Sequence, residues 1–252
     1  MSRTISLDPI DRESSQVQAL SDRLFDLASP FGINLERPQL EDLVLHLLYM
    51  EQINEYINLT AIRSVDDALL LHVLDSILYQ LIAPGESKRF LDMGTGGGYP
   101  GVPFGIINLT AHGILLDSVS KKVNAVNSIL HALDINRLNA VHDRLETYAT
   151  IQAQSFDVVL ARALAPLSVL LEYARPYLPV GGCVLLSKGI PQQDELDDAA
   201  SVASMLGFEL ESSLAVELPD SVGSRNLYRY RVINDSGVRL PRSLGYALKK
   251  PL

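Results

Sequence analysis

Through the first 85 residues the apolar positions fall three and four apart, the spacing of a helix face turned toward a core. Val17, Leu20, Leu24 and Leu27 form the first such stripe, and Pro30 with Gly32 ends it. A second helix is expected from near Pro38, with Leu40, Leu43, Val44, Leu47, Met50, Ile53 and Ile57 on one broad face. A third is expected from the N-cap Ser64, with Asp67 three residues on, to about Leu81, before Pro84-Gly85. Helices with apolar faces need a partner surface.

After Gly85 the rhythm changes. Short apolar runs at 89–93, 113–117, 138–142, 156–161 and 184–187 alternate with helical patterns at 102–108, 120–133, 143–148 and 166–178, and a further helix is expected over 193–206. Such alternation is the mark of β-α-β units and a parallel sheet. Two later runs, 208–216 and 227–233, alternate with period two and are expected to pair antiparallel across Pro219, Asp220, Ser221 and Gly223. The fold class is therefore α/β: a Rossmann-like, mostly parallel seven-stranded sheet with an antiparallel last strand, plus N-terminal helices. This divides the chain into a helical region (1–85) packed on a core (86–234), followed by a tail (235–252).

Composition narrows the setting. With 47 % apolar and 20 % charged residues, the 252-residue chain can bury a full core, which excludes wholesale disorder. One cysteine cannot form an internal disulfide, and five scattered histidines offer no zinc-ligand spacing, so no metal site is expected. The start, MSRTISLDPIDRESS, is polar and acidic, unlike a secretory signal. The longest stretch without Asp, Glu, Lys or Arg, from Met93 to Leu116, carries seven glycines and two prolines and would make a poor membrane helix. A cytoplasmic protein, monomeric and without a membrane partner, is expected.

The net charge of −9 is unevenly spread. From Arg225 onward seven basic residues face one acid, a net +6, which leaves −15 on the first 224 residues. The tail either keeps the chain soluble or meets phosphates.

The chemistry concentrates in Phe90-Leu-Asp-Met-Gly-Thr-Gly-Gly-Gly-Tyr-Pro-Gly101, a strand running into a glycine-rich turn and a helix start. Glycines at 94, 96 and 98 let a ligand approach backbone amides and permit positive φ. Gly96-x-Gly98-x-x-Gly101 fits the dinucleotide pattern, with Asp117 placed 19 residues past Gly98 for a ribose, so a nicotinamide-dependent oxidoreductase stays open. Asp92 favours a cationic ligand instead, since an acid beside the loop would attract an amino or sulfonium group and repel a pyrophosphate. A purely structural glycine turn is the third reading.

The spacing Asp92-x-Gly94-x-Gly96-x-Gly98 resembles motif I of class I S-adenosylmethionine-dependent methyltransferases. Asn58-Leu-Thr-Ala-Ile-Arg63, His72-Val-Leu-Asp75-Ser76, Leu115-Leu-Asp-Ser-Val-Ser-Lys-Lys122, Ala161-Arg-Ala163 with Pro166, Ser187-Lys-Gly189 and the closing Lys249-Lys-Pro-Leu252 stand in the order and spacing of the RsmG (GidB) family. Members of that family methylate N7 of a guanine in bacterial 16S ribosomal RNA. The resemblance implies S-adenosyl-L-methionine as cofactor and 16S ribosomal RNA, or a precursor of the small ribosomal subunit, as partner. Another methyltransferase of RNA or of a small molecule is the runner-up.

Carried over position by position, the resemblance implies that Gly94 and Tyr99 line the cofactor, Asp117 takes the ribose hydroxyls, and Ser118 and Val119 lie under the adenine. Leu145 and Glu146 would meet the adenine edge, and Arg162 would stand where cofactor and substrate meet as the catalytic candidate. Each has a plainer reading: Asp117 as a helix cap, Glu146 as an acid in a first helical turn, Arg162 as a surface charge.

Absences refine the chemistry. The Asn/Asp-Pro-Pro-aromatic motif of amino-group methyltransferases is missing after the fourth strand, where Ala161-Arg-Ala-Leu-Ala-Pro166 stands. Cys183 reads as a buried strand position. Guanine N7 already exposes a lone pair, so no general base is required. His72 and Asp75, three apart, are expected to steady a helix surface. Lys121, Lys122 and Lys188 are either phosphate contacts or solvated ends. Removing 238–252 is expected to weaken RNA binding and leave cofactor affinity nearly intact.

Overall fold

A computed structural model describes residues 5–252. The first four residues, part of the polar start, lie outside them. Helix α1 (Ser15–Ala28) begins where Ser14 accepts from the Val17 amide, and it buries Val17, Ser21, Leu24 and Ala28 as one stripe. Helix α2 (Arg37–Asn54) opens on a capping box, Glu36 with Gln39. Every residue from Leu43 to Met50 is buried, so α2 is a central helix rather than an amphipathic one with a single broad face. It packs on α1, and on α5 (Gly101–Ile107) and α6 (Ser120–Ala132) on the same face of the sheet. It stops at Asn54, short of Ile57, because the Asn54 side chain accepts from the Leu59 and Thr60 amides and turns the chain.

The expected third helix is a composite. α3 (Val65–Ala68) and α4 (Asp75–Ile77) flank a π turn over Leu69–Leu74, and a 3-10 turn over Leu78–Leu81 closes the stretch. A π turn widens the hydrogen-bond ladder and is frequent at functional sites. The Leu71 carbonyl within it accepts from Arg162 at 2.9 Å.

One seven-stranded sheet follows: β1 (Arg89–Met93), β2 (His112–Asp117), β3 (Leu138–His142), β4 (Val158–Arg162), β5 (Cys183–Lys188), β6 (Phe208–Leu218) and β7 (Gly223–Val232). Its order is β3-β2-β1-β4-β5-β7-β6, parallel except that β7 runs antiparallel to both neighbours. β4 starts later than its apolar run, because the Phe156 amide bonds to the Tyr177 carbonyl instead of the ladder. α7 (Leu145–Tyr148), α8 (Leu167–Ala174) and α9 (Gln193–Leu206) complete the connections. One core joins the N-terminal helices, α5 and α6 to one sheet face, while the other lies under α8 and α9. Among the described residues no helix is long and apolar enough to cross a membrane.

The C-terminal segment, expected as a tail beyond the core, packs against it. It folds back, forms α10 (Tyr246–Lys249) and buries Ala247 against α8. Arg242 forms a fork on the buried Glu172 carboxylate, so it is not free to meet a phosphate. Arg225, Arg229 and Arg231 lie on β7 and pair with Asp75 and Glu211. The +6 of the chain end is therefore largely spent inside the fold, and Arg239, Lys249 and Lys250 are the cations it leaves exposed.

Gly113 marks the tightest place in the sheet. A Cβ there would stand 2.2 Å from Phe90 Cζ and 2.8 Å from Leu138. Gly113→Ala is expected to overpack β1 and β2, cost about 1–3 kcal/mol and lower the thermal midpoint by several degrees in calorimetry. An unchanged midpoint would contradict this packing.

Candidate active site

The parallel strands end together, and their loops enclose a cavity of about 620 Å³. Gly94 faces it from β1; Leu116, Asp117, Ser118, Val119 and Lys122 from β2 and the start of α6. Asp143 to Glu146 contribute from the β3 loop, and Arg162 to Leu164 from β4. Tyr173 of α8 and Leu244, Gly245 and Leu248 of the C-terminal segment complete the wall. The carboxyl ends of parallel strands are where α/β sheets hold ligands, and the volume suits a nucleoside-sized one.

The glycines of the loop divide their work. Gly94 has φ +71° and opens on the cavity, where a side chain would collide with Leu164 at 2.9 Å. Gly98 faces inward, since a Cβ there would meet His46 Nε2 at 2.8 Å. His46, fully buried on α2, donates from Nε2 to the Gly97 carbonyl at 3.0 Å, so the helical region holds the loop from behind.

Tyr99 belongs to that support and is not among the residues lining the cavity. It is 5 % exposed, its ring lying 4.4 Å from His46 and 4.9 Å from His72. Asp92 likewise turns away from the cavity: it is buried, and its Oδ2 accepts from the Gly101 amide at 2.9 Å. The acid that suggested a cationic ligand thus fastens the loop to α5.

Asp117 sits on the cavity wall with Oδ2 accepting from the Gly96 amide (3.0 Å) and Oδ1 from the Val119 amide (2.8 Å). Glu146 also faces the cavity, with Oε1 accepting from the Gly245 amide at 2.7 Å.

Arg162 is no loose surface charge. One nitrogen donates to the Leu71 carbonyl and, at 3.2 Å, to Asp75, while the guanidinium carbon stands 5.7 Å from the Tyr99 ring. A guanidinium only donates, so His72 Nδ1, 3.4 Å from Arg162 Nη2, is the accepting nitrogen. The His72 proton therefore lies on Nε2 and is given to Thr60 Oγ1 at 2.8 Å. Asp75, buried, takes Arg225 of β7 at 3.0 Å as well. His72 and Asp75 thus leave the helix surface and become the inner support of Arg162. Neighbouring Ala163 has φ +50°, a strained backbone at the cavity edge.

Lys188 departs from its expected roles, whereas Cys183 is the buried strand residue that was expected. Lys188 pairs with Glu195 at 2.9 Å, and the same Glu195 oxygen accepts the Leu167 amide, so this lysine ties two loops together. Cys183 is buried on β5, where burial pushes its thiol up to about 11.

Leu164, Tyr173, Leu244 and Leu248 had escaped the sequence reading. The signal available was Leu244 and Leu248, four apart around a glycine in an otherwise basic segment.

The model of the GidB family, described as rRNA small subunit methyltransferase G, matches residues 39–227. The chain belongs to this family. Its similar relatives include ribosomal RNA small subunit methyltransferase G of Clostridium botulinum (strain Alaska E43), 32 % identical over 92 % of this chain and 98 % of the relative. The protein of the same name from Clostridium novyi is 36 % identical over 79 % and 83 %. Among solved structures, an O-methyltransferase from Bacillus cereus in complex with SAH superposes with a TM-score of 0.54 at 13 % identity, covering 86 % of this chain and 99 % of the other. TYW2 of M. jannaschii, in complex with AdoMet, gives 0.52 at 11 % identity over 64 % and 76 %. The fold is that of class I methyltransferases, and membership of the GidB family displaces the oxidoreductase reading of the glycine loop.

The two buried histidines of the site make a stability prediction. Burial lowers His46 to about 3, and burial followed by the charge of Arg162 lowers His72 to about 4, from 6.5. Below pH 6.5 the unfolded chain takes up both protons while the fold refuses them down to about pH 4, so stability falls with pH. Asp92 opposes this: burial raises it to about 6, so between pH 6 and 3.8 the fold holds one proton that the unfolded chain does not. Two protons outweigh one. The urea midpoint is expected to drop between pH 7.5 and pH 5, and to drop less in His72→Gln; an equal drop in the variant would contradict a neutral, buried His72.

Proposed function

We propose that this protein transfers a methyl group from S-adenosyl-L-methionine to N7 of a guanine in 16S ribosomal RNA, acting on the RNA or on an assembling small subunit in the cytoplasm. Membership of the GidB family carries the reading. The cavity fits such a cofactor: a side-chain-free Gly94 lies against it, Asp117 and Glu146 offer acceptors, and Val119 and Leu145 offer apolar surface for a base. Gly94, Asp117, Ser118, Val119, Leu145 and Glu146 would hold the nucleoside, with Tyr99 acting through the loop it braces. When bound, the cofactor supplies an electrophilic methyl on its sulfonium.

The chain's own work is alignment. Guanine N7 has its lone pair in the ring plane and gives up no proton on attack, so no base is needed beside it. Rate then comes from holding donor and acceptor in line and keeping water out. Arg162 suits that role because Asp75, the Leu71 carbonyl and Tyr99 fix its direction while its 14 % exposed side chain borders the cavity. Exposed Arg239, Lys249 and Lys250 of the C-terminal segment are available for phosphate contacts.

Mass spectrometry of ribosomal RNA from cells with and without the gene is expected to show one 7-methylguanosine lost in its absence; retention of every such nucleotide would refute the reading. Arg162→Lys keeps the charge for Asp75 but loses the planar fork. It is expected to lower kcat at least tenfold with the fold retained, and unaltered turnover would remove Arg162 from the reaction.

A further inference from the structure

Leu244 and Leu248 are 63 % and 57 % exposed, yet both border the cavity, and neither is held there by its own burial. What holds them is the frame around them. Arg242 Nε donates to Glu172 Oε1 at 2.6 Å, a second nitrogen reaches the other carboxylate oxygen, and Glu172 is 4 % exposed. The same guanidinium donates to the Lys250 carbonyl at 2.9 Å and stands 4.9 Å from the Tyr246 ring, which closes the segment into a loop. Ala247 plugs into the core at 2 % exposure. Between these anchors Gly245 takes φ +66° and directs its amide to Glu146 on the opposite wall.

Two leucines presented to water on a fixed frame, beside a cavity whose wall also carries the apolar side chains of Leu116, Val119, Leu145 and Leu164, are completed by a flat apolar ligand surface. We propose that the C-terminal segment is part of the cofactor site: Leu244 and Leu248 cover the adenosine half of S-adenosylmethionine, and Arg242 is the positioning residue that sets them there. This rests on the cofactor assigned above. It also reverses the expectation that removing 238–252 would spare cofactor affinity.

The test is calorimetric titration of the full-length protein with S-adenosylhomocysteine, a stable stand-in lacking the transferable methyl. Leu244→Ser/Leu248→Ser alters exposed side chains, so its thermal midpoint is expected to match the unaltered protein while affinity falls about tenfold, about 1.4 kcal/mol. Arg242→Gln loosens the frame without entering the cavity, and is expected to raise KM for S-adenosylmethionine with kcat preserved at saturation. Equal affinity in the double variant, or a loss confined to RNA binding, would overturn the assignment while leaving the methyltransferase reading intact. Failure of the unaltered protein to bind S-adenosylhomocysteine would remove both.

Discussion

A single buried carboxylate, Asp75, joins the helical region to the sheet by accepting two guanidiniums, Arg162 from β4 and Arg225 from β7. Burying three charges costs desolvation energy that their attraction repays only with good geometry. The arrangement therefore contributes more to position than to stability. It leaves one positive charge in excess at the carboxyl edge of the sheet and points one of its two guanidiniums at the cavity. The neutral His72 and the Leu71 carbonyl of the π turn, both accepting from Arg162, complete the same fixture.

The N-terminal helices are thereby part of the site without lining it. His46 bonds to the glycine loop, His72 reaches Arg162, and Tyr99 lies between the two rings. Burial keeps both imidazoles uncharged, which spares Arg162 a second and third cation nearby. Three surfaces thus meet at the cavity: a sheet edge that presents the loops, a helical layer that braces them from behind, and a C-terminal segment that covers them in front.

Most of the fold was legible because parallel strands, buried on both faces, read as apolar runs between helical periods. Strand order was not legible, because alternating runs give the number and kind of strands but not the crossover that sets β4 beside β1. The errors were local and physical. Ile57 continues the apolar period of α2, but the Asn54 side chain ends the helix by competing for amides. Of the residues assigned to the cofactor, seven face one cavity: Gly94, Asp117, Ser118, Val119, Leu145, Glu146 and Arg162. Tyr99 does not, because a ring beside a glycine loop can turn either to the ligand or to the helices behind, and spacing does not distinguish the two. The basic end looked like a free tail since charge counts do not show that Arg242 has a buried carboxylate 70 residues away in the chain.

The most direct measurement is a crystal structure of the protein with S-adenosylhomocysteine. The account predicts the nucleoside in the cavity between Asp117 and Glu146, with its sulfur toward Arg162 and the guanidinium still on Asp75. Ligand density elsewhere on the protein, or an Arg162 turned away from the bound sulfur, would contradict it.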